Sequence, residues 1–197
     1  EIQAIWDLPE LMIQSNSWPM APQLGKFIST PGPISGDGLY ARGDGNKSML
    51  KIKNMLTDLC KHPSDPNPKA MNLEKYWHPQ FNWYGPCGIG TSRSLEGFVD
   101  MHQLPFRKSF SERNYWELGH YCEIGDGKFS LCAGWHSLKA KYGSNDWLGY
   151  TADNQDVVMR VMDFYHHDEG KIRENWVPID IIHILKQIDI DVFDLLK

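Results

Sequence analysis

Two short turn signals late in the chain do most to limit what it can fold into. Gly125-Asp126-Gly127 and Asp168-Glu169-Gly170 each separate long runs rich in β-favouring residues. Residues 121–124 and 128–142 flank the first, and residues 157–167 and 171–177 flank the second. Upstream, the period changes. Met49, Ile52, Leu56, Leu59 and Cys60 recur at helical spacing until His62-Pro63 and the prolines at 66 and 68 stop them. Asn67-Pro68 suits the start of a second helix through Met71, Leu73, Tyr76 and Trp77. Phe81 to Tyr84 reads as a short strand. Ser92 or Ser94 can cap a third helix through Phe98, Met101 and Leu104, which Pro105 interrupts. The apolar positions from Ile181 to Leu195 predict a closing amphipathic helix. Helices first, then one antiparallel sheet, then a helix is an α+β pattern with the helices on one face.

This organisation predicts one domain over residues 46–197. Residues 15–45 are dense in Pro and Gly, as in Pro31-Gly32-Pro33, and read as a linker or lid. Residues 1–14 can be laid without a gap over 174–187, so that Glu1 meets Glu174, Asp7 meets Asp180 and Gln14 meets Gln187. That echo is either chance similarity of two amphipathic segments or the last strand and helix of a preceding, homologous domain. The net charge of −5 argues against nucleic acid or an anionic membrane as a partner, and no apolar run is long enough to span a bilayer. Cys60, Cys87, Cys122 and Cys132 show no C-x-x-C spacing, which fits free thiols in a cytoplasmic protein better than a zinc site. Gly85 to Gly90 lacks the Lys-Ser/Thr of a phosphate loop, and no Gly-x-Ser-x-Gly elbow is present.

Several blocks resemble the SnoaL-like polyketide cyclases and their ester-cyclase relatives, within the NTF2-like superfamily. They are Tyr76-Trp77-His78-Pro79-Gln80-Phe81, Gly85-Pro86 with Gly88-Ile89-Gly90-Thr91, and Leu95-Glu96-Gly97-Phe98. Further on come residues 160–164, Glu169-Gly170-Lys171-Ile172, Glu174-Asn175-Trp176, Ile179-Asp180 and Leu185-Lys186-Gln187. The resemblance implies a cone: a curled sheet wrapped by three helices around a pocket, often dimeric through the sheet's outer face. It implies ring closure by aldol chemistry at a carboxylate, with no metal and no organic cofactor. Aligned through the Gly-Lys-Ile turn, the family's pocket Gln, His and catalytic Asp fall on Val161, Asp163 and Val177. Its pocket Asn falls on Trp83.

Strand parity offers a candidate site. Met159, Val161, Asp163 and Tyr165 share one face of their strand. A three-residue turn at 168–170 would set Asp163 opposite Asn175 and Val161 opposite Val177. A carboxyl desolvated there would titrate near neutrality and suit proton transfer, with Asn175 orienting it. The competing reading pairs Asp163 with an Arg such as Arg173. Phe81, Trp83 and Trp135 are candidate aromatic walls, or core. His136 is a second acid/base candidate, or a satisfied sheet histidine, and a bulge at Gly134 would alter its face. Asp180 reads as a helix cap. His166-His167-Asp168-Glu169 looks metal-like, but successive strand residues point apart. The functions left open are a cofactor-free acid/base catalyst on a small hydrophobic carbonyl compound, a non-catalytic small-molecule binder, and a dimerisation module.

Overall fold

The computed structural model describes residues 8–22, 24–25, 43–114, 120 and 122–196. The strand expected over residues 1–7 and the stretch 26–42 lie outside these. Helix α1 is Leu8–Gln14 and helix α2 is Asn46–Leu59. A 3-10 turn, Pro68–Met71, leads into the single helical turn α3, Leu73–Tyr76. The Asn67 side chain accepts from the Lys69 backbone N–H at 3.0 Å, the capping expected of Asn-Pro.

The sheet follows as β1 (Trp77–Tyr84), β2 (Thr91–Arg93), β3 (Phe110–Asn114), β4 (Cys122–Asp126), β5 (Phe129–Tyr142), β6 (Gln155–Asp168) and β7 (Lys171–Trp176). Its order is β2-β1-β7-β6-β5-β3, with β4 also paired to β5. Most pairs are antiparallel, but β1 and β7 run parallel, so the sheet is mixed rather than wholly antiparallel as expected.

The chain between β2 and β3 winds as one helix in three parts. These are α4 (Ser94–Phe98), a π-helical stretch Val99–Gln103, and α5 (Leu104–Ser109). Pro105 therefore does not end the helix. It falls at the start of α5, where the π turn has already displaced the hydrogen-bond ladder that Pro cannot join. The final helix α6 is only Ile181–Lys186. Asp189 turns left-handed at φ 62°, and the Ile190 N–H returns to the Leu185 carbonyl at 3.1 Å. That closure ends the helix well before Leu195.

Two irregularities set which residues share a face. The β6–β7 turn is tighter than expected: Glu169 and Gly170 have φ of 47° and 75°, and Asp168 pairs with Lys171. A bulge at His166/His167 then shifts the ladder, so that Tyr165, not Asp163, lies opposite Asn175. Val161 bridges Ile179 rather than facing Val177. In the long β5–β6 pair, Trp135, His136 and Ser137 occupy a stretch where β6 offers Arg160 alone.

Residues 15–25 are not a free tether where they are described. Gly25 and Leu24 donate backbone hydrogen bonds to Ile89 at 2.6 Å and Gly88 at 3.2 Å. Gly88, at φ 93°, has the Trp18 ring against it, so a side chain there would meet both strain and that ring.

Helix α2 covers the inner face of the sheet with Ile52, Met55 and Leu56, all buried. Its C-terminal end is held by Asp58. That carboxylate accepts from the Tyr76 hydroxyl, from Lys61, and from Lys75 at 3.2 Å, and these partners hold it well below the usual carboxylate range. The Tyr76 hydroxyl is the buried member. Asp58→Asn should lower stability by about 1–2 kcal/mol, read from urea unfolding at pH 7, because it weakens that bond in a dry setting.

Candidate active site

The inner faces of β6, β7 and β1 meet helices α2, α4 and α5 around a cavity of about 90 Å³. Its walls are mostly apolar and aromatic: Met55, Leu56, Trp77, Trp83, Phe98, Phe106, Leu138, Met159, Val161 and Val177. A few polar groups interrupt them, namely Asp163, Tyr165, Asn175, His102, His120, Gln103 and Ser137.

Asp163 sits mid-strand on β6, on the inward parity shared with Met159, Val161 and Tyr165. The residue is partly buried, and it is the cavity that it lines. Burial pushes its pKa up to about 7, with the Asn175 amide and the Tyr165 hydroxyl pulling weakly the other way. The Asn175 Nδ2 lies 3.4 Å from the Asp163 Oδ1 and 3.1 Å from the Phe164 carbonyl. Despite the shifted register, Asn175 reaches Asp163 diagonally across the strands. Arg173 is turned elsewhere and donates to Gln80 at 3.3 Å. Tyr165 and Cys132 lie alongside, and desolvation first and the Asp163 charge second hold both well above their usual pKa.

Trp83, Val161, Tyr165 and Val177 line the cavity with Asp163 and Asn175. Three expected members do not. Trp135 is 55% exposed on the other side of the sheet, beneath the Arg160 guanidinium, which stands 5.3 Å from its ring. His136 is stacked against His183 of α6 at 5.7 Å. The β5 bulge puts Ser137 and Leu138 into the cavity wall instead. Phe81 is fully buried behind Trp77 and Phe98 and has no cavity surface. Asp180 caps α6, accepting from the His183 N–H at 3.0 Å.

The 166–169 run does not gather metal donors. His166 Nδ1 is 2.9 Å from a Glu174 carboxylate oxygen on the outer side, and His167 Nε2 is 2.7 Å from the Ser130 hydroxyl. A different set converges. One donor atom each of His120, Cys132 and Asp163 lie within 4.8 Å of one another. These are donor types a divalent metal accepts, and they come from three separate elements, which cysteine spacing alone does not reveal.

The sequence pattern of the SnoaL-like polyketide cyclase family matches residues 67–188, from the capped turn before β1 to the end of the last helix. The chain belongs to the SnoaL-like polyketide cyclase family. Solved structures share the fold at low identity. TsrD of Streptomyces laurentii aligns over 71% of this chain and 95% of its own, with 13% identity and a TM-score of 0.56. A provisionally assigned SnoaL-like polyketide cyclase of Jannaschia covers 74% of this chain and 96% of its own, with 10% identity and a TM-score of 0.57. An NTF2-like protein of Burkholderia xenovorans covers 74% and 98%, with 13% identity and a TM-score of 0.53. No curated protein matches.

Within this SnoaL-like domain, Val177 stands in the cavity wall where the resemblance implies the family's acid/base Asp, and Asp163 is the carboxyl present. Two cavity groups, His102 and His120, were not anticipated. They come from the π stretch and from the segment before β4, and no local spacing ties them to β6. Burial lowers the pKa of both, His102 to about 3.

Asp163 also has a stability signature. Its folded pKa is raised above the ordinary 3.8, so its contribution to stability is full below about pH 4 and is lost as pH rises through about 7. Asp163→Asn removes that loss. The variant should be more stable than wild type at pH 8, by on the order of a few kcal/mol, with the difference vanishing near pH 4. Thermal denaturation of both proteins across that range measures it.

Proposed function

We propose that the protein is a cofactor-free acid/base catalyst acting on a small hydrophobic carbonyl compound, with Asp163 as the proton-transfer group. One observation carries this: a carboxyl pushed up to about 7 by burial faces an apolar cavity, with an amide beside it. A general base works best with a pKa near the working pH, and burial supplies that shift here. Asn175 has its Nδ2 turned to the carboxylate, which orients it. The chemistry this supports is abstraction and return of a proton next to a carbonyl, as in isomerisation or ring closure. Family membership agrees with ring closure, while the apolar Val177 argues that the carboxylate role has moved to the neighbouring strand.

Binding without turnover is the second reading, and the cavity's small size favours it over ring closure of a large polyketide. Deuterium uptake from D2O by the α-carbons of small ketones separates the two. Wild type should accelerate uptake with a rate that climbs through about pH 7. Asp163→Asn should keep the fold and lose about 10²–10⁴-fold of the rate. Uptake at the same rate in the variant removes Asp163 from the mechanism.

The proposal extends to assembly and location. The outer sheet face exposes Trp135 and, from β4, Ile124, at 55% and 58%, beside the partly buried Met162, Phe164 and Trp176. That surface supports a homodimer. Trp135→Glu should shift the protein to monomer in light scattering. Cys122 and Cys132 are free thiols, which supports a reducing, cytoplasmic setting. No helix among the described residues is long and apolar enough to cross a membrane.

A further inference from the structure

His102 lies on the π-helical stretch, and its imidazole is held as a flat plate. It stacks on Trp83 at 4.0 Å and 13°, with Phe98 and Phe106 at 5.5 and 5.6 Å. It is only 8% exposed. Its Nδ1 is sealed from solvent and has no hydrogen-bond partner among the described residues. A buried polar atom without a partner is costly, and native proteins retain one where another role requires the side chain. The same ring lines the cavity, and with Nδ1 sealed, Nε2 is the nitrogen that a bound molecule can reach.

The tautomer follows from the surroundings. A neutral imidazole carries one N–H. A sealed N–H without an acceptor is worse tolerated than a sealed lone pair. The proton therefore belongs on Nε2, where a ligand oxygen can accept it. Burial keeps the ring uncharged throughout the neutral range. His102 is thus a fixed hydrogen-bond donor rather than a proton carrier.

Cavity size narrows the ligand. An apolar cavity of about 150 Å³ is what one benzene ring occupies. The 90 Å³ here is smaller, and Trp77, Trp83, Phe98 and Phe106 form much of its wall.

We propose that the cavity takes a compact, uncharged ketone or similar carbonyl compound of about five non-hydrogen atoms, its oxygen accepting from His102 Nε2–H. This rests on the reading of Asp163 as the base, since it names the substrate class of that site. The step balances without any other reactant. The Asp163 carboxylate takes a proton from the α-carbon, and the C–H electron pair becomes the C=C bond of an enolate. The carbonyl π pair moves to oxygen, where the His102 N–H hydrogen-bonds it. The carboxylic acid then returns the proton to carbon. The donor matters most when the oxygen carries charge, which is when transition-state stabilisation is needed.

The test uses 2-butanone labelled with ¹³C at the carbonyl. Infrared difference spectra of the wild-type protein should show the bound carbonyl stretch shifted to lower frequency. The shift should disappear in His102→Phe and return in part in His102→Gln, which restores a donor. His102→Phe keeps the aromatic plate and removes the orphaned nitrogen, so its melting temperature should equal or exceed that of wild type. On wild type alone, 2-methyl-1-butene, which replaces the oxygen with a methylene, should bind at least tenfold more weakly than 2-butanone. The two-ring ketone 1-tetralone should bind at least tenfold more weakly as well. An unshifted carbonyl in wild type, or equal binding of the alkene, overturns the assignment of His102. Tight binding of 1-tetralone overturns the size class. Asp163→Asn separates the two readings: a shifted carbonyl with undiminished deuterium uptake sinks the base and leaves the donor standing.

Discussion

The pairing of β5 with β6, fourteen residues in each strand, is the constraint on which the rest of the structure depends. Along β6 the side chains alternate from Val157 to Tyr165, so one face packs Val157, Met159 and Tyr165 into the core and turns Asp163 to the cavity. Along β5 the alternation breaks once. At the bulge, Trp135 to Ser137 run beside Arg160 alone, and the strand bends. The bend lets a sheet with two such long strands curl over helices α2, α4 and α5 and leaves a hollow instead of a flat, fully packed interface.

That hollow governs the electrostatics. With apolar walls on most sides, the carboxyl of Asp163, the thiol of Cys132 and the phenol of Tyr165 all favour their neutral forms, and His102 and His120 do likewise. Five ionisable groups thereby share one small space with little charge among them. Burial brings the pKa of Asp163 up to about 7, so its charge can change readily at physiological pH. The surrounding groups act as dipoles in a medium where dipoles count for more than in water.

Much of this was legible in the sequence, for reasons that are local. The two hairpins follow from glycines and acidic residues at the turns, and the inward face of β6 follows from a period of two. Asn67 and Asp180 behave as caps because short polar side chains next to a helix start have few alternatives. What escaped was set by one-residue irregularities and by tertiary meetings. The bulge at His166/His167 moved Asn175 from beside Asp163 to a diagonal contact. The bulge in β5 sent Trp135 to the outer surface and kept His136 out of the hollow. Pro105 read as a stop, yet the π turn absorbed it. His102 and His120 carry no periodic signature, because their neighbours in space are far away in the chain.

The π turn has an evolutionary reading. Each of its hydrogen-bonded rings closes one residue later than in an α-helix, so the segment behaves as a helix with a single amino acid spliced in. Excising one residue between Val99 and Gln103 would let the segment close as an ordinary α-helix, with the turns on either side keeping their faces. Only residues of the turn itself, His102 among them, would change their facing, while the sheet and its carboxyl would not be touched. The imidazole is therefore a detachable part, gained or dropped by one codon.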